Sequence, residues 1–255
     1  MTFIRTDVRE NILIITIDRP EARNAFNKSM ALELEAVFDA YEANPEQRVA
    51  ILQATGPVFC AGQDLKAAAK GEIAMSKTRG GFGIMERPPS KPLIAAVDGQ
   101  VLAGGMEMTL CCDLIVASRA SVFGLFEAKR SLVATGGACF RLPRRLPYQI
   151  AMELLLTAQP KPAEEMHRHG YVNSLVEPGE SLPEAIRIAQ IIAANGPLAV
   201  QMSKQIAWTS TSEGWTDAEA WKRQASIVQP LLESLDMREG LAAFAEKRPA
   251  VWQGR

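Results

Sequence analysis

The sequence predicts an α/β fold, and three observations lead to this class. Short apolar, β-branched runs alternate with segments whose apolar residues recur at helical spacing. The chain has 255 residues, of which 47% are hydrophobic and 22% are charged, as in ordinary globular proteins. That length is enough for one large α/β domain or for a domain with an appendage. After about residue 183 the pattern becomes helical to the end.

Apolar runs bounded by turn residues predict the strands. The predicted strands are 11–18, 48–55, 92–97, 113–118, 121–126 and 173–176. The first run, NILIITID, is β-branched and ends at Arg19-Pro20, which is typical of a buried strand closed by a turn. Between the first two strands the period changes, and 27–44 reads as a helix with Asn27 as N-cap and Pro45 just beyond its end.

Two further stretches differ from this alternation. Between Lys66 and Lys91 the pattern dissolves into Ala, Gly, Lys and Ser, which predicts a mobile loop or a short helix over a ligand site. In the C-terminal part, helices are predicted at 185–194, 198–210, 217–235 and 241–247. Tryptophans are concentrated in this part, so we expect much of it to be buried, against another subunit.

Charge and cysteine content exclude several classes of protein. The formal net charge of −1 provides no general field for nucleic acid or for an anionic membrane. No apolar stretch approaches the roughly 20 residues of a membrane-spanning helix, and Met1 to Arg9 has no apolar signal region. The four cysteines form no C-x-x-C, so neither a disulfide framework nor a zinc site is expected. These features predict a cytoplasmic protein.

Several catalytic motifs are missing from the sequence. There is no G-x-S-x-G, no Walker A sequence and no G-x-G-x-x-G. The only two histidines, His167 and His169, lie two residues apart on a predicted helix and point in different directions. Acid–base chemistry in this chain should therefore depend on carboxylates.

Two segments carry the pattern of a ligand site. Val58–Lys66 (VFCAGQDLK) and Ala95–Glu107 (AAVDGQVLAGGME) each place small residues between a strand and a helix. Glycine there lets a ligand approach the main chain, and the unpaired N–H groups of a helix start point towards it. Two such turns could direct two N–H groups at one oxygen and form an oxyanion hole. By themselves, such glycines serve packing or tight turns more often than binding.

These segments resemble the two signature blocks of the enoyl-CoA hydratase/isomerase (crotonase) superfamily, F-x-A-G-x-D-L and A-A-V-x-G-x-x-x-G-G-x-E. The similarity continues in order through 123–129 (FGLFEAK), 136–143 and 151–157, and it covers nearly the whole chain. Two segments, 59–72 and 241–255, are similar to carnitinyl-CoA dehydratase-type members.

The resemblance implies a fold and an assembly. The expected fold is α/β, a crotonase-like spiral of repeated ββα units over 1–196, followed by a helical C-terminal oligomerisation region over 197–255. The expected assembly is a homotrimer or a dimer of trimers.

The resemblance also implies roles for individual residues. Gln63 and Gly104 match the positions whose backbone N–H groups hold the thioester oxygen, and Glu107 and Glu127 match the two catalytic glutamates. The positions that match the CoA-binding walls are Arg23, Ala25, Ala61, Asp64, Leu65 and Lys66. The implied activity is hydration of an enoyl-CoA, or the reverse dehydration, with an acyl-CoA substrate and without a metal or redox cofactor.

Two alternatives remain open at this point. One is an enoyl-CoA isomerase that uses one glutamate as a proton shuttle, and the other is a non-catalytic acyl-CoA-binding protein. The chain also departs from the family pattern around the acyl pocket. Phe126 stands where Pro is common, Ala134-Thr135 replaces a Pro-Gly or Pro-Asp pair, and Gln63 is bulkier than the Ala of many hydratases.

Overall fold

Ten strands are present in the computed structural model, which describes residues 2–255. They are β1 (Ile4–Arg9), β2 (Ile12–Ile17), β3 (Val49–Ala54), β4 (Val58–Cys60), β5 (Leu93–Val97), β6 (Gln100–Leu102), β7 (Leu114–Ser118), β8 (Val122–Gly124), β9 (Lys161–Pro162) and β10 (Ser174–Val176). A six-stranded sheet has the order β1-β2-β3-β5-β7-β10, and a four-stranded sheet has the order β4-β6-β8-β9. Neighbours are parallel except in the pairs β1–β2 and β8–β9.

The helices connect and cover these sheets. They are α1 (Lys28–Ala43), α2 (Leu65–Ala68), α3 (Gly104–Thr109), α4 (Ala138–Arg145), α5 (Tyr148–Thr157), α6 (Ala163–Arg168), α7 (Ser181–Ala193), α8 (Pro197–Glu213), α9 (Asp217–Leu232) and α10 (Leu235–Glu246). Short 3₁₀ turns lie at Pro20–Ala22 and Glu127–Arg130. As predicted, Asn27 caps α1, because its side chain accepts a hydrogen bond from the Met30 N–H at 3.0 Å.

The chain repeats one unit as it advances. β3 joins the large sheet, β4 joins the small sheet and α2 follows; β5, β6 and α3 repeat the same sequence of elements. β7 and β8 begin a third repeat, and the 3₁₀ turn Glu127–Arg130 follows them. Each repeat runs in the same direction, so the equivalent strands are parallel. The helices or 3₁₀ turns that follow these strands therefore begin in the same region. The predicted spiral of ββα units is confirmed.

Alternate residues of the large sheet face two apolar clusters. Leu13 and Ile15 of β2 pack into the main core, with the buried face of α1. Ile12 and Ile14 pack on the other side, against residues of α7 such as Ala185. Burial on both faces explains why the strand is a continuous apolar run without polar alternation.

The predicted strands are all present, but four observed strands were not predicted. These are β1, β4, β6 and β9. Five of the six residues of β1 are exposed, so this edge strand carries no apolar pattern. The other three have two or three residues each, which is too short for a period to be visible.

The segment between α2 and β5 is anchored to the core, in contrast to the predicted mobility. The Arg79 side chain is fully buried and forms ion pairs with Asp39 and Glu42 of α1. The Glu35 carboxylate accepts hydrogen bonds from the backbone N–H groups of Thr78 and Arg79 at 2.7 and 3.0 Å. The predicted short helix is present as α2.

Four helices form the C-terminal part, as predicted, although α10 begins at Leu235 and not at 241. In the single chain Trp221 is 72% exposed and Phe244 is 85% exposed, so burial of this part against another subunit stays a prediction. The start of α8 at Pro197 coincides with the predicted division at residue 196, while the separability of the two regions stays a prediction. Across 2–255, no helix combines the length and the apolarity required to cross a membrane.

Candidate active site

A cavity of about 1820 Å³ brings the two motif segments together. Its wall includes Gln63 from the first segment and Gly104 and Glu107 from the second. Glu127 from the turn after β8 and Trp208 from α8 also line it. The spiral therefore gathers residues from four separate parts of the chain around one space.

The first backbone donor is the N–H of Gln63. Gly62 and Asp64 on either side of it are both paired with Phe26: the Phe26 N–H donates to the Gly62 carbonyl, and the Asp64 N–H donates to the Phe26 carbonyl, each at 2.8 Å. Backbone groups alternate along an extended segment, so the Gln63 N–H points the opposite way, towards the cavity. It has no backbone acceptor in the region 2–255.

The second donor is the N–H of Gly104. Gly104 is the first residue of α3, so its N–H has no acceptor within the helix. The preceding residue, Ala103, has φ 52° and ψ −126°, an unusual conformation for a residue with a side chain. Its N–H donates to the Gly124 carbonyl at 2.8 Å, which fixes the turn. Such strain is found where surrounding structure determines the geometry of a site.

Gly62 lets the two donors lie side by side. A Cβ at Gly62 would come within 2.9 Å of the Ala103 Cβ and 3.1 Å of the Gly104 nitrogen, and its φ is +95°. Any side chain there would therefore collide with the turn that carries the second donor. The close contact shows that the Gln63 and Gly104 segments form one continuous wall of backbone.

Glu107 lies in the first turn of α3 and is 4% exposed. Its Oε1 accepts a hydrogen bond from the Ala138 N–H at 3.1 Å. A Cβ at Gly136 would lie 2.6 Å from Oε2, so only glycine fits against this carboxyl. Burial raises the pKa of Glu107 to about 7; backbone hydrogen bonds from Ala138 and Gly136 oppose this rise, while the charge of Glu127 adds to it.

Glu127 begins the 3₁₀ turn that follows β8. Its Oε2 is buried and has no hydrogen-bond partner among the residues that the structure describes. Burial raises the pKa of this carboxyl above its ordinary value, against the opposing effect of backbone hydrogen bonds at its own turn. A buried carboxyl oxygen without a partner at the wall of a cavity is available to a ligand.

This arrangement suits proton transfer beside a carbonyl group. Two backbone N–H groups can hold an oxygen on which negative charge develops. Two carboxyl groups with raised pKa values can hold and release protons, one as acid and the other as base. No three His, Cys, Asp or Glu side chains within 2–255 are grouped so that they could hold a metal ion.

The structure brings some of the predicted substrate-binding residues to the cavity and not others. Arg23, Ala61 and Leu65 line it, whereas Ala25 and Lys66 do not.

Asp64 is also absent from the wall, because its carboxylate has structural partners. Its Oδ1 caps α2 by accepting from the N–H groups of Lys66 and Ala67 at 3.0 and 3.1 Å. Its Oδ2 pairs with Arg19 at 2.8 Å. A direct contact of this carboxylate with substrate is therefore not supported.

Sequence reasoning missed several residues of the wall. Phe82 and Met85 come from the segment that was predicted to be mobile, and Arg141 and Trp208 come from helices α4 and α8. Arg141 lies with its guanidinium 5.3 Å from the Trp208 ring centroid and donates to the Cys111 Sγ at 3.2 Å. Arg141 lies in the family-like segment 136–143, but nothing in that segment assigns it a role, and only the packing of distant segments reveals the four residues.

Comparisons with known proteins find relatives along nearly the whole chain. The family model described as enoyl-CoA hydratase/isomerase matches residues 7–255. An enoyl-CoA hydratase of Mycobacterium tuberculosis is 39% identical over 97% of this chain and 95% of its own length. A carnitinyl-CoA dehydratase of Proteus mirabilis is 40% identical over 97% of each chain. A crystal structure of an enoyl-CoA hydratase from Mycobacterium tuberculosis is 49% identical, with a TM-score of 0.96 and full coverage of both chains.

Proposed function

The chain belongs to the enoyl-CoA hydratase/isomerase family and is an enoyl-CoA hydratase, and we propose that Glu107 and Glu127 carry its reaction. Hydration adds water across the double bond of a trans-2-enoyl-CoA thioester, and dehydration of a 3-hydroxyacyl-CoA is its reverse. One observation carries the proposal: the buried carboxyl of Glu107 and the half-buried carboxyl of Glu127, both with raised pKa values, share a cavity wall with two backbone donors.

The backbone donors stabilise the developing charge. The thioester oxygen accepts hydrogen bonds from the N–H groups of Gln63 and Gly104. As the reaction proceeds, this oxygen takes on enolate character, and the two N–H groups need no rearrangement to meet it. In other enzymes each donor of this kind contributes about 2.7–4 kcal/mol to stabilisation of the transition state.

The two glutamates move the protons. Glu107, as a carboxylate, takes a proton from water, and the oxygen of that water forms the new bond to Cβ. Glu127, as a carboxylic acid, gives its proton to Cα, and the enolate collapses to the thioester. In dehydration the roles reverse. The negative charge of Glu127 adds to the rise in the pKa of Glu107, so ionising both carboxyl groups together is unfavourable and one proton is expected to remain on the pair.

This mechanism requires no metal and no redox cofactor, because the two backbone donors and the two carboxyl groups perform every step. Coenzyme A is part of the substrate. An isomerase needs only one carboxyl group to shuttle a proton between carbons. The presence of a second carboxyl, that of Glu127, whose Oε2 is buried without a partner in the described part of the chain, favours hydration over isomerisation. The same two groups disfavour a purely non-catalytic acyl-CoA-binding role.

Substrate recognition divides between the walls of the cavity. Arg23 is exposed at the edge, without a carboxylate partner within 2–255, and suits a phosphate of coenzyme A. Ala61 and Leu65 provide apolar contacts next to it. Ala25 and Lys66 flank these residues and are proposed as outer contacts.

Assembly and location are part of the same proposal. Several apolar side chains of the C-terminal helices and of the final segment are exposed in the single chain: Trp221, Leu241, Phe244 and Val251. Their burial in a homotrimer or a dimer of trimers would remove this apolar surface from water. Four free thiols, including the exposed Cys139, fit a reducing cytoplasm.

The test is the loss of conjugated enoyl-thioester absorbance when the purified protein is mixed with crotonyl-CoA. We expect rapid loss with the wild type and almost none with Glu127→Gln or Glu107→Gln. Glu86→Gln is the matched control, because Glu86 lines the same cavity but is exposed. Full activity in both glutamate variants would refute the assigned roles.

A further inference from the structure

The side chain of Gln63 makes a hydrogen bond that is separate from the contacts of its backbone N–H. Its Oε1 accepts a hydrogen bond from the Ala74 N–H at 3.0 Å. The orientation of the amide is settled by its partner, since a backbone N–H can be met only by the oxygen. Ala74 is 1% exposed, so without Gln63 its N–H would lose its acceptor in a buried environment.

Ala74 is the base of a short hairpin. The Phe82 N–H donates to the Ala74 carbonyl at 2.8 Å, and the Ser76 N–H donates to the Gly80 carbonyl at 3.0 Å. A β-bridge between Met75 and Gly81 lies between these two bonds. Segment 74–82 is therefore held to Gln63 at its base, while the ion pairs of Arg79 hold its other end to α1.

The hairpin returns to the second backbone donor. A Cβ at Gly104 would lie 2.6 Å from the Phe82 Cζ, so the Phe82 ring lies directly against Gly104. On its other side the ring stacks on Phe26, with centroids 4.7 Å apart and planes 9° apart. Phe26 is also the residue whose backbone orients Gln63. Both oxyanion residues are thus joined through one ring of contacts.

We propose that the Gln63 side-chain amide is a positioning residue that fastens hairpin 74–82 across the oxyanion hole and sets the acyl-pocket wall. Met75 and Phe82 of this hairpin, and Ile73 just before it, line the cavity. An alanine at position 63, as in many hydratases that the sequence resembles, is too short to reach Ala74. The bond therefore depends on the length and the acceptor of the Gln63 side chain, and it bears on which acyl groups the pocket accepts. The proposal rests on the proposed function only in identifying the ligand as an acyl-CoA.

The test combines amide hydrogen exchange with binding of butyryl-CoA, a saturated thioester that cannot be hydrated. Gln63→Leu keeps the size of the side chain but removes the acceptor. We expect exchange of the Ala74 and Phe82 amides to be about tenfold faster or more, as for loss of a buried hydrogen bond, and butyryl-CoA to bind about tenfold more weakly.

Two further variants make the result specific. Gln63→Glu restores an acceptor and is expected to return the exchange rates towards the wild-type values. Gln149→Leu makes the same chemical change at an exposed position of α5 and should leave both measurements unaltered. Unchanged exchange in Gln63→Leu would overturn the proposal, as would faster exchange with unchanged butyryl-CoA binding. Neither measurement needs turnover, so an inactive wild type would count against the proposed function alone.

Discussion

The proposed active site has two halves, one formed by main-chain N–H groups and the other by side-chain carboxyl groups. The proposed oxyanion half consists of main chain: the N–H groups of Gln63 and Gly104, aligned by a β-bridge and by the start of α3. The proposed proton-transfer half consists of two side chains, Glu107 and Glu127, whose pKa values are raised by burial. The first half therefore depends on how closely main-chain segments approach one another, whereas the second depends on two carboxyl side chains.

The largest expected effect is in the proton-transfer half. Glu107→Gln and Glu127→Gln should each reduce kcat by about 10²–10⁴, because a positioned acid or base contributes that much. If the two groups act as a unit, the double variant should be scarcely worse than the poorer single variant. The measurement is crotonyl-CoA hydration under saturating substrate. If the fold-loss of kcat in the double variant equals the product of the two single losses, the groups act independently.

An added Cβ that crowds the backbone should be enough to impair the oxyanion half. Gly62→Ala introduces a Cβ within 3.1 Å of the Gly104 nitrogen, so kcat should fall by about 10²–10³ through displacement of one donor. Gly71→Ala is the control: its φ is also positive, +82°, but nothing lies within 4 Å of the added Cβ. A similar loss of kcat in both variants would point to general destabilisation and against a local effect on the donor.

The pH dependence of stability tests the effect of burial on the pKa of Glu107. The folded pKa of Glu107 is about 7, raised from 4.5, so the folded chain binds more protons at this site than the unfolded chain between these values. Stability should therefore fall as pH rises from about 4.5 to 7. Glu107→Gln should raise the free energy of unfolding at pH 8 by roughly 1–3 kcal/mol and leave it nearly unchanged at pH 4. Denaturant unfolding at both pH values is the measurement, and an equal shift at the two would contradict the assignment.

The smallest expected effect concerns the anchor beneath the oxyanion half. Burial opposes ionisation of Glu35, but hydrogen bonds from Thr78 and Arg79 bring its pKa down to about 2. Its contribution to stability is thus present above pH 4.5 and lost as the pH falls towards 2. Glu35→Gln should cost about 1–2 kcal/mol at pH 7, with exposed Glu46→Gln as the control. Thermal unfolding at pH 7 and pH 3 tests this, and the difference from wild type should shrink at the lower pH.

Local pattern was sufficient for the main elements and for the two motif segments. The β-branched runs, the capped helix α1 and the Gly-Gly start of α3 are visible along the chain because each depends on neighbouring residues. The positions of Glu107, Glu127, Gln63 and Gly104 came from resemblance to family motifs, and the structure places all four on one cavity wall. The smallest strands were missed because two or three residues do not reveal a period.

What only the tertiary structure decided depends on contacts between distant segments. The segment after α2 has a weak local pattern, yet buried Arg79 and its carboxylate partners about 40 residues away hold it in place. Asp64 matches a ligand-binding position in sequence, but its Oδ2 pairs with Arg19 from a distant segment while its Oδ1 caps α2. The Gln63 Oε1 accepts the Ala74 N–H only because the segment after α2 folds back over Gln63. Short-range propensity and motif spacing are properties of the chain itself, while burial, pKa and hydrogen-bond partners arise only when separate segments meet.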